Sequence, residues 1–179
     1  MRTRQIPVID KNSRAYQENK ALSAVNNVLL VVVFTAINVL IAAFGGSSYF
    51  LFSATVPFFS AYLGRMLYDE TGKILPLVLF AIGACIVIGL YLLFWIMARR
   101  NRNWMIPAIV FFVLDTVLLF VLFPFTIEMI LDYLFHAWVL FSLISGYVAA
   151  RRAAAMPPDV IPAQAEEIPG EISTADPTE

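Results

Sequence analysis

The sequence predicts an all-α, multi-pass integral membrane protein: a transmembrane four-helix bundle with a re-entrant or interfacial segment between its first two spans. Of the 179 residues, 60% are hydrophobic and 14% are charged, so a soluble domain of this length could not cover its surface with polar groups. The charged residues are also sorted into short clusters that alternate with long uncharged runs. This arrangement is typical of a chain that crosses lipid several times.

Residues 1–21 are predicted to be a basic N-terminal segment, and the spans follow it. A helix needs roughly 20 apolar residues to cross the hydrocarbon core of a bilayer. Four runs meet this requirement, namely residues 22–44, 74–98, 104–123 and 127–150. Residues 22–150 are therefore predicted to form the four-span transmembrane domain.

A fifth apolar run, residues 47–64, could be a span by hydropathy alone. It is short, it follows Gly45 and Gly46, and it carries Pro57 near its centre, where a straight helix would lose a backbone hydrogen bond.

Lys and Arg near span ends mark the cytoplasmic side. The basic clusters are Arg2, Arg4, Lys11, Arg14 and Lys20 before the first span, Arg99, Arg100 and Arg102 after the second, and Arg151 and Arg152 after the last. Only four spans place all of them inside, so residues 47–64 are predicted to be re-entrant or interfacial on the outer side, with both termini cytoplasmic.

The segments outside the spans predict the surroundings of the bundle. Arg99, Arg100 and Arg102 flank spans, so we expect them to attract anionic lipid and not nucleic acid. Residues 151–179 are rich in proline and acidic residues, which predicts a disordered cytoplasmic tail. A solvated terminus is the favoured interpretation of that tail over a docking segment. A membrane-protein partner or a homo-oligomer is left open.

The third span carries a carboxylate in its middle, Asp115, and such a group costs roughly 2.5–3.5 kcal/mol to insert. In the fourth span Glu128, Asp132 and His136 recur every four residues and therefore share one side of a helix. A turn at Pro124 makes these two spans antiparallel neighbours. At about 1.5 Å per residue, the Asp115 and His136 positions then lie about 12 and 13 Å from that turn. The two side chains are predicted to meet.

The other two spans can contribute at similar depths. Asn38 on the first span is expected near the level of Asp132, and Thr35 one turn deeper, near Asp115 and His136. The second span has small residues at the matching depth, which either allow close helix packing or leave room for water or a ligand.

Three interpretations of this polar set compete. The favoured one is interhelical hydrogen bonding that fixes the packing of the bundle, each contact contributing about 0.6 kcal/mol. The second is a proton or ion relay from Asp115 and His136 outward through Asp132 and Glu128. The third is a membrane-embedded enzyme that holds a divalent metal with His136, Asp132, Glu128 and Asp115, and it ranks last because one histidine is few. The predicted function is accordingly a non-enzymatic accessory subunit or small transporter, with no cofactor, and the metal-dependent enzyme is the alternative.

Motifs for the common chemistries do not occur in the sequence. There is no GxGxxG, P-loop, GxSxG or HExxH, and the single histidine excludes a bis-histidine haem within one chain. The single cysteine, Cys85, excludes an intrachain disulfide and a thiolate metal cage.

A resemblance covers the last two spans. The segments that carry it are Asn103-Trp104, Leu114-Asp115-Thr116, Ile130-Leu131-Asp132 and Phe135-His136-Ala137-Trp138-Val139-Leu140. They resemble a set of small four-span bacterial membrane proteins that is itself uncharacterised. The resemblance implies a bacterial plasma membrane and makes Asp115, Asp132 and His136 the first positions to mutate, but it implies no activity, substrate or cofactor.

Overall fold

The structure is a computed structural model that describes residues 10–46 and 53–158, without the side chain of Glu128. Over these residues the chain is helical and contains no strand. The helices are α1 (Arg14–Ala43), α2 (Thr55–Thr71), α3 (Ile74–Arg100), α4 (Met105–Leu122) and α5 (Ile130–Ala155). Two single 3-10 turns, Arg102–Trp104 and Ile127–Met129, precede α4 and α5.

Four of these helices are long and apolar enough to cross a membrane: α1, α3, α4 with its preceding turn, and α5. The shortest of them spans 21 residues, or about 32 Å at 1.5 Å per residue, which matches the roughly 30 Å hydrocarbon core. Large apolar side chains such as Ile86, Val121 and Phe141 are more than half exposed on the outside of the bundle, where lipid would cover them. The predicted fold class, a multi-pass four-helix bundle, is confirmed.

Polar turns extend three helices beyond the predicted spans, at the start of α1 and at the ends of α3 and α5, whereas α4 is one residue shorter than predicted at each end. Helix α1 begins eight residues earlier than the predicted span, at Arg14, where the Ser13 side chain caps it by accepting a hydrogen bond from the Tyr16 amide at 3.2 Å. Helix α5 runs on to Ala155 and so includes the first residues assigned to the tail. Residues 1–9 and 159–179 lie outside the described part of the chain.

Helix α2 replaces the predicted segment 47–64, of which residues 47–52 lie outside the described residues. The helix begins only two residues before Pro57, so the proline falls in the first turn, where its missing N–H removes no helical hydrogen bond. The helix continues past Gly64 to Thr71. Gly72 caps its C terminus in the left-handed conformation, with a φ of +66°. Residues 65–71, expected in a loop, therefore form the last two turns of α2.

The start of α2 lies inside the bundle. Its first residue, Thr55, contacts Asp115, seven residues and thus about 10 Å before the end of α4 at Leu122. From there α2 runs out beside α3, and the two helices approach so closely that a Cβ on Gly64 would lie 2.7 Å from the Phe80 Cβ.

The apolar core includes Ala54 at the start of α2 and is built mainly from α1 and α5, with Tyr91 from α3 and Phe112 from α4. Val31, Phe112, Val139 and Leu143 are each at most 1% exposed there. Helices α1 and α5 approach most closely at Gly146, where an added Cβ would overlap the side chain of Ala24. This packing fixes the positions of the side chains that surround Thr55.

Candidate functional site

The N terminus of α2 is the centre of the polar site. The first four N–H groups of a helix have no partner within the helix, and here they belong to residues 54–57. The Ala54 amide donates to Thr35 Oγ1 at 2.7 Å. The Thr55 amide donates to Asp115 Oδ2 at 2.8 Å, and the Val56 amide donates to Asp115 Oδ1 at 2.9 Å. Pro57 has no N–H, so every backbone donor at this helix end is satisfied by α1 and α4.

Asp115 therefore caps α2 from another helix and uses both carboxylate oxygens to do so. Its side chain is 2% exposed, so the two hydrogen bonds lie in a region of low dielectric constant. A carboxylate at a helix N terminus is also stabilised by the helix dipole, by about 0.3–2 kcal/mol. These contacts explain how a carboxylate can lie in the middle of an apolar span.

His136 is the second buried partner of Asp115. Its Nδ1 lies 2.9 Å from the carbonyl oxygen of Asp132, one turn earlier on α5, and a carbonyl only accepts, so Nδ1 carries a proton. Its Nε2 lies 3.3 Å from Asp115 Oδ2 and 3.4 Å from Thr55 Oγ1. A neutral ring would accept from the Thr55 hydroxyl through Nε2, and a charged ring would donate to Asp115. The ring also stacks on Phe112, with centroids 5.1 Å apart, which holds it in this orientation.

Helix α1 holds the chain just before α2 with two side chains on one face. Thr35 is 1% exposed and Asn38 is fully buried, and they lie three residues apart. Asn38 Nδ2 donates to Ser53 Oγ at 2.8 Å. The next residue, Ala54, is the one whose amide donates to Thr35. The two contacts fix residues 53 and 54, which set the direction in which α2 begins.

A small cavity of about 70 Å³ lies between His136 and the turn that joins α4 to α5, and α2, α4 and α5 line it. Its polar lining comes from Ser53, Thr55, Asp132 and His136, and the remaining wall is apolar. At roughly 30 Å³ per molecule, it has room for about two waters. Asp132, 6% exposed, therefore lines a space that is large enough for water.

Tyr91 on α3 lies beside the same cluster. Its side chain is 2% exposed, its ring packs edge-on against Phe111 with centroids 5.1 Å apart, and Asp115 acts on it electrostatically. Within residues 10–46 and 53–158 its hydroxyl makes no hydrogen bond. Helix α3 therefore contributes an apolar wall with one hydroxyl to the inner side of the site.

The structure brings most of the predicted polar set together. Asp115, His136 and Thr35 converge on the first turn of α2, Asn38 contacts Ser53, and Asp132 lines the cavity. The backbone of Glu128 lies in the 3-10 turn before α5, and its side chain is outside the described part. The sequence interpretation missed the α2 amides, which are the main partners of Asp115. The Ser-Ala-Thr-Val-Pro run at residues 53–57 is the pattern that points to them, since hydroxyl residues and an early proline are typical of a helix start.

The metal interpretation gains no support from this geometry. Where side chains are described, no three of the His, Cys, Asp and Glu residues lie close enough to hold a metal ion. Two of the predicted ligands, Asp115 and His136, are directed at each other and at the start of α2. The metal site stays a prediction that depends on Glu128.

Comparison of the chain with protein-family models, with curated proteins and with solved structures found no match. The resemblance of the last two spans to small bacterial four-span proteins therefore stays a prediction. The function has to be argued from the contacts of the site itself.

Proposed function

We propose that this is a non-catalytic accessory protein of the membrane, in which the polar cluster is a clamp that seats the re-entrant helix α2 inside the bundle. The observation that carries the proposal is that both oxygens of Asp115 accept amides from the first turn of α2. His136 and Thr35 complete the clamp from α5 and α1. A protein with this clamp presents a fixed outer surface, made by α2, to a partner in the membrane or outside it.

The clamp predicts that the α2 N terminus is inaccessible while Asp115 is intact. Ala54 is 0% exposed, so an Ala54→Cys variant, made in a Cys85→Ser background, reports on release of α2. We expect a water-soluble maleimide to label this cysteine slowly in otherwise wild-type protein and at least ten times faster when Asp115→Asn is added. Asp69→Asn, which removes an exposed carboxylate paired with Arg65, is the matched control and should leave the rate unchanged. Equal labelling rates in all three proteins would refute the clamp.

A second candidate function, a small proton or ion transporter, is supported by the cavity beside His136. Asp132 and His136 line a space with room for water, and His136 contacts Asp115 deeper in the bundle. These groups form a chain of titratable positions from the cavity toward the bundle centre. In this function Asp132 is the entry acid, and the clamp residues lie further along the path.

Proteoliposomes with an internal pH dye test the transporter. Asp132→Asn keeps the size of the side chain and does not alter the acceptors of the α2 amides, so it should leave α2 seated and slow acidification several-fold. Asp69→Asn should acidify at the wild-type rate. If Asp132→Asn, wild type and protein-free liposomes acidify equally fast, the transporter hypothesis is excluded and the accessory role is unaffected.

We further propose that both termini face the cytoplasm of a bacterial cell and that α2 ends on the outer side. The arginines at the start of α1 and the end of α3 line one cavity with the end of α5, so these three helix ends lie at one end of the bundle. The positive-inside rule then assigns that end to the cytoplasm. An impermeant amine reagent should label Lys73, which precedes α3, from outside intact cells. Labelling of Lys73 only after the membrane is opened would reverse the orientation.

A further inference from the structure

A basic cavity lies at the end of the bundle that is remote from the α2 clamp. It has a volume of about 320 Å³ and is lined by Arg14 from α1, Arg99 and Arg100 from the end of α3, and Arg102 from the turn before α4. Glu18 is the one acidic residue in the lining, so the cavity has a formal excess of three positive charges. This concentration of arginine serves no role in the clamp.

Three of the arginines are held in place by contacts with the protein. The Arg14 Nε lies 2.6 Å from Glu18 Oε1, one turn along α1. The Arg99 guanidinium lies over the Trp95 ring, 5.2 Å from its centroid, and Arg102 donates to the Ala98 carbonyl at 2.9 Å. Each of these contacts uses only part of a guanidinium, which has five N–H donors. For Arg99 and Arg102, donors remain that can be directed at one anion in the cavity.

The rest of the lining is made of small side chains. Ala21 on α1 and Ala150 and Ala153 on α5 are between 1% and 9% exposed and form the wall opposite the arginines. Larger residues at these positions would fill the space between the helix ends. The cavity therefore combines a basic rim with an apolar alanine wall, as a site for a lipid headgroup and its glycerol requires.

We propose that this cavity binds the phosphate group of an anionic phospholipid. Guanidinium groups bind phosphate oxygens through paired hydrogen bonds, and they bind them more directionally than lysine does. The cavity lies where α1 begins and where α3 and α5 end. In a bilayer crossed by these helices, the lipid phosphates lie at this level. Basic pockets between spans on the cytoplasmic side are typical sites for anionic headgroups. The lining arginines come from three elements, so a bound phosphate would join helix ends that share few other polar contacts.

Native mass spectrometry of the full chain in detergent micelles tests this site. The probes are dioleoylphosphatidylglycerol and, as the neutral lipid, dioleoylphosphatidylcholine. We expect wild type to retain phosphatidylglycerol and little phosphatidylcholine. The double variant R99Q/R100Q should lose phosphatidylglycerol affinity by at least about tenfold, since neither glutamine can donate charge-assisted hydrogen bonds to the phosphate.

The control is R151Q/R152Q, which removes the same charge from the end of α5 but from outside the cavity lining. The control should change the affinity for phosphatidylglycerol less than about twofold. Glu18→Gln should raise that affinity, because a neutral amide then replaces the carboxylate in the cavity lining. Equal losses in the two double variants would show general surface attraction and overturn the site. Retention of phosphatidylcholine equal to that of phosphatidylglycerol, or displacement of the lipid by inorganic phosphate at the same concentration, would also overturn it.

Discussion

Replacing Asp115 by alanine is the most direct perturbation of the clamp, and the structure gives its expected size. The substitution leaves the Thr55 and Val56 amides without acceptors at a position that is 2% exposed. A buried donor without a partner costs about 1–3 kcal/mol, so the two amides predict a loss of about 2–6 kcal/mol in the free energy of unfolding. Interhelical hydrogen bonds between side chains average only about 0.6 kcal/mol, because freed side chains find other partners. The α2 amides are fixed in direction, so the larger figure should apply.

Asp115→Asn is a milder change, because it removes the charge and only one of the two acceptor oxygens. The amide group keeps one acceptor oxygen for one of the two N–H groups, and it removes the negative charge at the α2 dipole. We expect a loss of about 1–5 kcal/mol, from one unpaired donor at about 1–3 kcal/mol and the dipole contribution of about 0.3–2 kcal/mol.

Reversible unfolding by sodium dodecyl sulphate in mixed micelles, followed by tryptophan fluorescence, measures both losses. Asp69→Asn, at a side chain that is 54% exposed, is the control and should match wild type. A loss below about 1 kcal/mol for Asp115→Ala would be ordinary side-chain bonding and would refute the capping argument.

Further predictions use the same unfolding assay. Thr35→Val removes the acceptor of the Ala54 amide at nearly constant volume and should cost about 1–3 kcal/mol, whereas Thr35→Ser should retain most of the stability; equal values for the two would contradict the assigned hydrogen bond. Gly146→Ala should cost about 1–3 kcal/mol, because the new Cβ overlaps the side chain of Ala24 and pushes α1 and α5 apart. Gly89→Ala is its matched control, with nothing within 4 Å of the added Cβ, and should be neutral or stabilising by up to about 1 kcal/mol. A Gly146→Ala protein as stable as Gly89→Ala would mean that the two helices do not pack as described.

The spans and the contact between Asp115 and His136 could be predicted from the sequence, because both follow from regular geometry. Hydropathy marks each span, and a helix rise of about 1.5 Å per residue places two residues at one depth once the spans are known to be antiparallel. The observed Nε2–Oδ2 distance of 3.3 Å agrees with that estimate. The span ends were less accurate, because polar first and last turns such as that of α1 at Arg14 extend helices beyond their apolar runs.

The main partners of Asp115 could not be predicted in the same way, because they are backbone groups. Every residue except proline has a backbone N–H, so the type of side chain at positions 55 and 56 does not mark their amides as partners of a carboxylate. The position of Pro57 was interpreted as a break in the middle of a run, but in the structure it is the third residue of α2. The general rule that a helix start leaves four N–H groups unpaired would have suggested a carboxylate partner for any helix that begins inside lipid.

The buried carboxylate and the re-entrant helix thus account for each other. A carboxylate in the middle of an apolar span needs hydrogen-bond donors, and a helix that begins about 10 Å from the C-terminal end of α4, inside the bundle, could not leave its N–H groups unpaired. Asp115 accepts from the Thr55 and Val56 amides, and these amides stabilise its buried charge. Thr35 accepts from the Ala54 amide and Pro57 has no N–H, so all four positions at the start of α2 are accounted for. Asp132 lies outside this arrangement, since the α2 amides have their acceptors without its side chain, and it lines the cavity beside His136. Any activity that depends on a bound ion or proton should therefore respond first to Asp132, in the cavity, while loss of Asp115 should act mainly through the fold.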